Sequence, residues 1–272
     1  MKQFSTSPSE LIASFWRHRE LITALTQREI IGRYRGSALG IVWSFIHPMF
    51  MLAVYTFVFS VVFQARWGNS GDSRAEFALV LFAGLIIFNL FAECINRAPS
   101  LIVSNVNYVK RVVFPLEILP WVVLGSALFH SLISIIVWLV FYSILYGLPQ
   151  LTILLLPVII APLILLTMGL SWFFSALGVY LRDISQVTTI MTTVLMFMSP
   201  IFYPASALPE NLQPMLLLNP LAPALEQFRG VLMWGETPSL LIWLIYLLST
   251  SIVAWLGFVW FQKVRRGFSD VL

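Results

Sequence analysis

The chain has 272 residues, 59% of them hydrophobic and only 10% charged, with a mean hydropathy of +0.89. A soluble domain of this length needs a charged coat that these residues cannot supply, so the bilayer is the expected solvent. The net charge of +4 does not point to nucleic acid, because the basic residues sit in loops between apolar runs, where they set membrane orientation.

Residues 1–36 are mixed. Charges at Arg17, Arg19, Glu20, Arg28 and Glu29 interrupt them, which argues against a secretory signal. From Glu10, apolar residues recur at Leu11, Phe15, Ile22 and Leu25. That spacing predicts an amphipathic helix, lying in the membrane interface or packed on a partner. A spanning helix takes roughly 20 apolar residues, and six stretches are read as spans: 38–64, 77–95, 116–146, 151–180, 187–203 and 240–261. His47-Pro48 interrupts the first. The fourth is longer than needed, so a tilt or a kink at Pro157 and Pro162 is expected. Residues 96–115 form a polar loop between Pro99 and Pro115, and Gly147-Leu148-Pro149 is a tight turn. Residues 204–236 are apolar but cut by Pro204, Pro209, Pro214, Pro220 and Pro223. Such short pieces read as a broken, re-entrant segment rather than a span. The fold class is therefore an all-α membrane protein: one domain over 1–272, six transmembrane helices, an N-terminal interfacial helix and a broken segment between the last two spans.

With both termini on one side, thirteen Lys and Arg fall on that side and three on the other, namely Arg66, Arg74 and Arg229. The positive-inside rule puts both termini and the 96–115 loop in the cytoplasm. The 204–236 segment is then periplasmic.

Titratable groups near the hydrocarbon are few: His47, Glu93, Glu117 and His130. Glu93 and Glu117 fall near span ends, where capping or snorkelling accounts for them. No spacing suits a metal, and no nucleophile–base set stands out. The single cysteine, Cys94, allows no internal disulfide. None of the three lysines follows a glycine, so there is no phosphate loop for ATP. The chain is not read as an enzyme, and energy for active transport has to enter through a partner. In the first span Tyr55 and Phe59 are one turn apart, with Trp43 and His47 below them. Aromatic faces in a ladder can carry sugar rings, or can simply pack between helices.

Three stretches are similar to motifs of a known family. Arg33-Tyr34-Arg35-Gly36-Ser37-Ala38-Leu39-Gly40-Ile41-Val42-Trp43, followed by His47-Pro48 and Tyr55-Thr56-Phe57-Val58-Phe59, resembles the opening of polysaccharide-exporting ABC permeases, the type-2 exporters of O-antigen, capsule and teichoic acid. Ser199-Pro200-Ile201-Phe202-Tyr203-Pro204 resembles their motif at the end of the fifth span. Asn219-Pro220-Leu221-Ala222-Pro223, with Glu226 and Arg229, resembles the motif before their last span. The likeness runs along essentially the whole chain.

The resemblance implies a homodimer of permeases in the bacterial inner membrane around a central channel, with two copies of a separate ATP-binding subunit docked below. ATP and Mg²⁺ belong to that subunit, so no cofactor is expected on this chain. The implied cargo is a lipid-linked glycan, such as O-antigen. Residues 10–30 and 96–115 would meet the ATPase, and 204–236 would form an outward gate. The candidate channel residues are Trp43, Tyr55, Phe59, Phe202 and Tyr203. The candidate docking residues are Asn105, Tyr108, Lys110 and Arg111, although Lys110 and Arg111 would serve equally for topology and anionic lipid. Pro220, Glu226 and Arg229 are the candidate gate, with Glu226 and Arg229 read as a bridge or as a solvated pair. Two other readings stay open: a type-2 permease for a drug or lipid, and a transporter acting alone.

Overall fold

A computed structural model describes residues 6–62, 67, 74–110, 114–211 and 213–272. Among them the chain is all helix and turn, with no strand. Five helical segments are long and apolar enough to cross a membrane: Gly40–Phe59, Ala75–Leu101, Leu116–Tyr146, Leu151–Tyr180 and Leu240–Val271.

The N-terminal helix expected as one piece is two. Helix α1 (Pro8–Arg17) starts where Ser7 Oγ accepts the Glu10 N–H and Pro8 stands in the first turn. It ends at His18, whose ψ of 14° is not helical, and α2 (Arg19–Tyr34) begins beyond it. Of the expected stripe, Ile22 is buried and Phe15 packs on Trp121 at 4.7 Å between ring centroids.

A short 3₁₀ turn (Gly40–Val42) leads into α3 (Trp43–Tyr55). Pro48 lies inside α3 and does not end it. The helix then widens into a π-helix over Thr56–Val62, a form most often seen at functional positions. Helix α4 (Arg74–Leu101) is the hub of the fold, buried on nearly every face from Phe77 to Ile95. Its sequence is almost continuously apolar, as a helix enclosed by other helices requires. It runs through Pro99, so the first residues of the expected 96–115 loop are helical. The rest of that loop holds a 3₁₀ turn (Val103–Asn105) and the one-turn helix α5 (Val106–Val109).

Helix α6 (Leu119–Tyr146) stops at Gly147, whose φ of 86° suits glycine alone among ordinary residues. Helix α7 (Leu156–Tyr180) follows a 3₁₀ segment (Leu151–Leu155). Pro157 therefore starts α7 rather than kinking it, while Pro162 lies inside it. Helix α8 (Ile184–Met198) has 15 residues, a rise of about 22 Å against a hydrocarbon core of about 30 Å. It is the short helix where a fifth span was expected. The proline-rich stretch then gives 3₁₀ turns, α9 (Ala222–Arg229) and a second π-helix (Gly230–Trp234). Helix α10 (Leu240–Val264) and the one-turn α11 (Phe268–Val271) complete the chain.

Helices α4 and α6 are joined where Trp138 Nε1 donates to the Leu79 carbonyl at 2.9 Å. Helices α7 and α10 lie backbone against backbone. A Cβ added at Gly169 would stand 2.5 Å from the Val253 carbonyl oxygen, and one at Gly257 would collide with the Gly169 carbonyl.

Candidate functional site

Three places concentrate polar chemistry in this apolar bundle. The first is a cavity of about 1010 Å³ between α2, α3, α4 and α6. Trp43, His47 and Tyr55 line it from α3, and Asn89, Glu93, Asn96 and Arg97 line it from α4. The α4 residues recur at intervals of three and four, so they form one polar stripe on an otherwise buried helix. Arg33 donates to Glu93 at 2.6 Å, Arg97 lies 3.5 Å from Glu93, and Arg97 also pairs with Glu29. These pairs tie α2 to α4. Tyr34 meets His130 Nδ1 at 3.3 Å and so ties α2 to α6. Asn96 Oδ1 accepts from Thr192 Oγ1 at 3.0 Å, linking α4 to α8.

The second place lies at the other end of α8, and it brings two of the motifs together. Asn219 Nδ2 donates to the Met198 carbonyl at 3.2 Å and to Ser199 Oγ at 2.9 Å, while its Oδ1 accepts the Leu221 N–H. Tyr246 of α10 donates to the Pro220 carbonyl at 2.7 Å. Arg229 is 2% exposed. It donates to the carbonyls of Val80 (3.0 Å), Ile201 (2.8 Å) and Pro200, and its guanidinium stacks over Trp67 at 4.6 Å. Burial pushes this guanidinium down to about 9, with Glu226 acting in the opposite direction. The bridge expected between Glu226 and Arg229 is not formed: no ion pair within 4 Å joins them among the described residues. Buried deep, Arg229 turns to carbonyls of α4 and of the turn after α8, while Glu226, one turn earlier on α9, is exposed.

The third place is at the end of the bundle that holds α1 and α11. Arg265 pairs with Glu117 and donates to the Phe114 carbonyl at 2.9 Å, and Ser14 of α1 donates to Glu117 at 3.4 Å. Glu93 and Glu117 are thus ion-paired anchors.

The five candidate channel aromatics are not one ladder. Trp43 and Tyr55 face the cavity. Phe59 stacks on Phe202 at 5.9 Å and packs on Phe77, and Phe202 stacks on Phe197. The Tyr203 hydroxyl donates to the Phe197 and Met198 carbonyls, closing the end of α8. Among the docking candidates, Lys110 is exposed, Asn105 donates back to the Leu101 carbonyl at 2.8 Å, and Tyr108 stacks on Phe114 at 4.2 Å. Arg111 lies outside the described residues.

Several members of these sites carry no local signature. Arg33 meets Glu93, and Arg97 meets Glu29, across 60 or more residues of chain, and pairing at that distance leaves no spacing to read. Gly84 faces Arg229 so closely that a Cβ there would overlap the guanidinium.

An all-helical bundle with five long apolar helices and polar groups gathered in an internal cavity and at the two helix ends defines a polytopic membrane protein. The chain belongs to the ABC-2 type transporter family, whose profile matches residues 20–233. It is 26% identical over 263 residues to the O-antigen export system permease protein RfbA of Myxococcus xanthus, covering 96% of this chain and 98% of that protein. It is 26% identical over 255 residues to RfbA of Klebsiella pneumoniae, covering 93% and 95%. It is 27% identical over 221 residues to the polysialic acid transport protein KpsM of Escherichia coli, covering 79% and 81%.

Proposed function

We propose that this chain is the channel-forming subunit of an ATP-driven exporter of a lipid-linked polysaccharide, acting as a homodimer with two copies of a separate ATP-binding subunit. The observation that carries this reading is the match along nearly the whole chain to permeases named for O-antigen and polysialic acid export. The cell membrane is the bacterial inner membrane, and the Lys and Arg asymmetry puts both termini in the cytoplasm. Helix α8 is the fifth of six spans in chain order, short because Ser199-Pro200 ends it and the 204–236 segment completes the crossing. Helices α1 and α2 lie in the cytoplasmic interface. ATP and Mg²⁺ act on the partner, which has to supply the phosphate loop absent from this sequence.

In the working cycle, closure of the ATP-binding subunits pushes on α1, α2 and the 96–115 loop. Ion pairing of α2 with α4 passes that push into the bundle, and the bond from Asn96 to Thr192 passes it to α8. The first and fifth spans of the two copies separate, and polymer moves between them past Trp43, Tyr55, Phe59, Phe202 and Tyr203. On the outer side Arg229, Asn219 and Pro220 hold the 204–236 gate to α8 and α10. Each partner state must prefer one permease state for this coupling to work.

Deleting the gene and scoring surface glycan tests the proposal. Surface polymer should disappear while lipid-linked polymer accumulates inside, and the chain together with an ATP-binding subunit from the same locus should restore it. Unchanged surface glycan, with loss of drug or lipid efflux in its place, would favour the small-amphiphile reading.

A further inference from the structure

The charged groups around the cavity cancel. Glu29 and Glu93 stand against Arg33 and Arg97, each already in an ion pair. No cation is left over among these four to receive a phosphate. The hydrogen-bonding groups still unused are neutral. Asn89 lies near the midpoint of α4 (Arg74–Leu101), exposed to the cavity and without a hydrogen-bond partner among the described residues. His47 projects into the same space from α3, also without a hydrogen bond among the described residues. His130 Nε2 is buried and unpartnered, its Nδ1 being held by Tyr34.

A polar group at bilayer depth needs a partner, since one left unpaired there is costly. An acyl chain in the cavity would leave all three unpaired. A side-chain amide and two imidazoles each offer a donor and an acceptor, which matches the paired hydroxyls of a sugar ring. Trp43 and Tyr55 supply aromatic faces for its C–H side. The volume, about 1010 Å³, stands at the upper end of the roughly 300–1,000 Å³ of small-molecule sites. There is room for more than one ring with water.

We propose that this cavity is a saccharide-binding site, where Asn89, His47 and His130 recognise a neutral, hydroxyl-rich ring of the cargo. It rests on the glycan-export reading above. It adds that cargo is recognised through an uncharged sugar unit.

Photo-crosslinking in producing cells that also express the ATP-binding subunit tests both ideas apart. The probe p-benzoylphenylalanine replaces Met51 in the cavity wall or, in a second strain, Phe197 on the exposed face of α8. After irradiation, mass spectrometry of the purified chain reads whether the adduct contains sugar. The Met51 probe should give sugar-containing adducts. Asn89→Leu, and separately His47→Phe, should lower their yield at least tenfold without lowering the amount of permease in the membrane. Sugar adducts at Phe197 but only phospholipid at Met51 would overturn the cavity site and leave export intact. Sugar at Met51 unaffected by either substitution would overturn recognition by these residues. Sugar at neither position would overturn the export reading as well.

Discussion

A guanidinium carries five N–H donors in a fixed plane, and Arg229 directs its own at three carbonyls from two separate parts of the chain. Lysine has the charge but not the fork, so Arg229→Lys leaves carbonyls of Val80, Pro200 or Ile201 unsatisfied. A loss of about 2–4 kcal/mol is expected, read as a lowered Tm of the detergent-solubilised protein. Gly84→Ala acts on the same contact from the α4 side, because the guanidinium it would displace is pinned and cannot swing away. The two changes should therefore be clearly less than additive in a double-mutant cycle. Glu93 makes a different case. It stands between Arg33 and Arg97 on the cavity wall, partly exposed. Arg97→Glu should cost about 1 kcal/mol or more through the lost pairs and the new repulsion from Glu29 and Glu93. Adding Glu29→Arg should recover part of that in the same melt. Glu93 and Glu117 are visible in the sequence as rare charges near hydrocarbon, and Arg229 stands out through the motif before the last span. Their partners were not, because a helical spacing of three makes Glu226 the obvious mate for Arg229, whereas burial favours carbonyls that carry no signature of their own.

The long apolar elements are legible because bilayer thickness demands about 20 apolar residues in a row, and α4, α6, α7 and α10 meet that demand. What hydropathy does not encode is where a helix breaks or persists by its neighbours' packing. Pro48 and Pro99 read as interruptions, yet α3 and α4 continue through them. The N-terminal stripe reads as one helix, yet it divides at His18. Close contact between backbones is equally silent in a hydropathy profile, and α7 against α10 depends on it. Lipid gives little driving force for helices to meet, so small residues that admit close approach supply it through packing. Gly257→Leu would put a side chain where the Gly169 carbonyl now lies. It should separate α7 from α10 at a cost of about 1–3 kcal/mol. The Tm should fall and proteolysis at the α10 end should rise. Gly32→Ala, at a helical position with open space around it, should not loosen that interface.

At the scale of the whole molecule, one end of the bundle is fastened far more heavily by charge than the other among the described residues. Glu117 gathers α1, the residues before α6 and the C-terminal turn, and Glu93 gathers α2 and α4. The segments proposed to meet the ATP-binding subunit are thus anchored to the core rather than hinged loosely on it. In the proposed cycle, a push there is transmitted instead of being absorbed. If the docking surface includes the 96–115 loop, it should be sensitive to charge at the loop's exposed tip. Lys110 is exposed there, with Arg111 next in sequence. Reversing both, Lys110→Glu with Arg111→Glu, should reduce association with the ATP-binding subunit at least tenfold, about 1.4 kcal/mol. Co-purification at moderate salt measures that loss. Permease Tm should stay unchanged, because Lys110 belongs to neither anchored cluster. Raising salt should weaken the unmodified complex in the same direction, since exposed charges beyond a Debye length of about 8–10 Å are screened. Full association of the reversed variant at every salt concentration would move the docking surface away from the loop and onto α1 and α2.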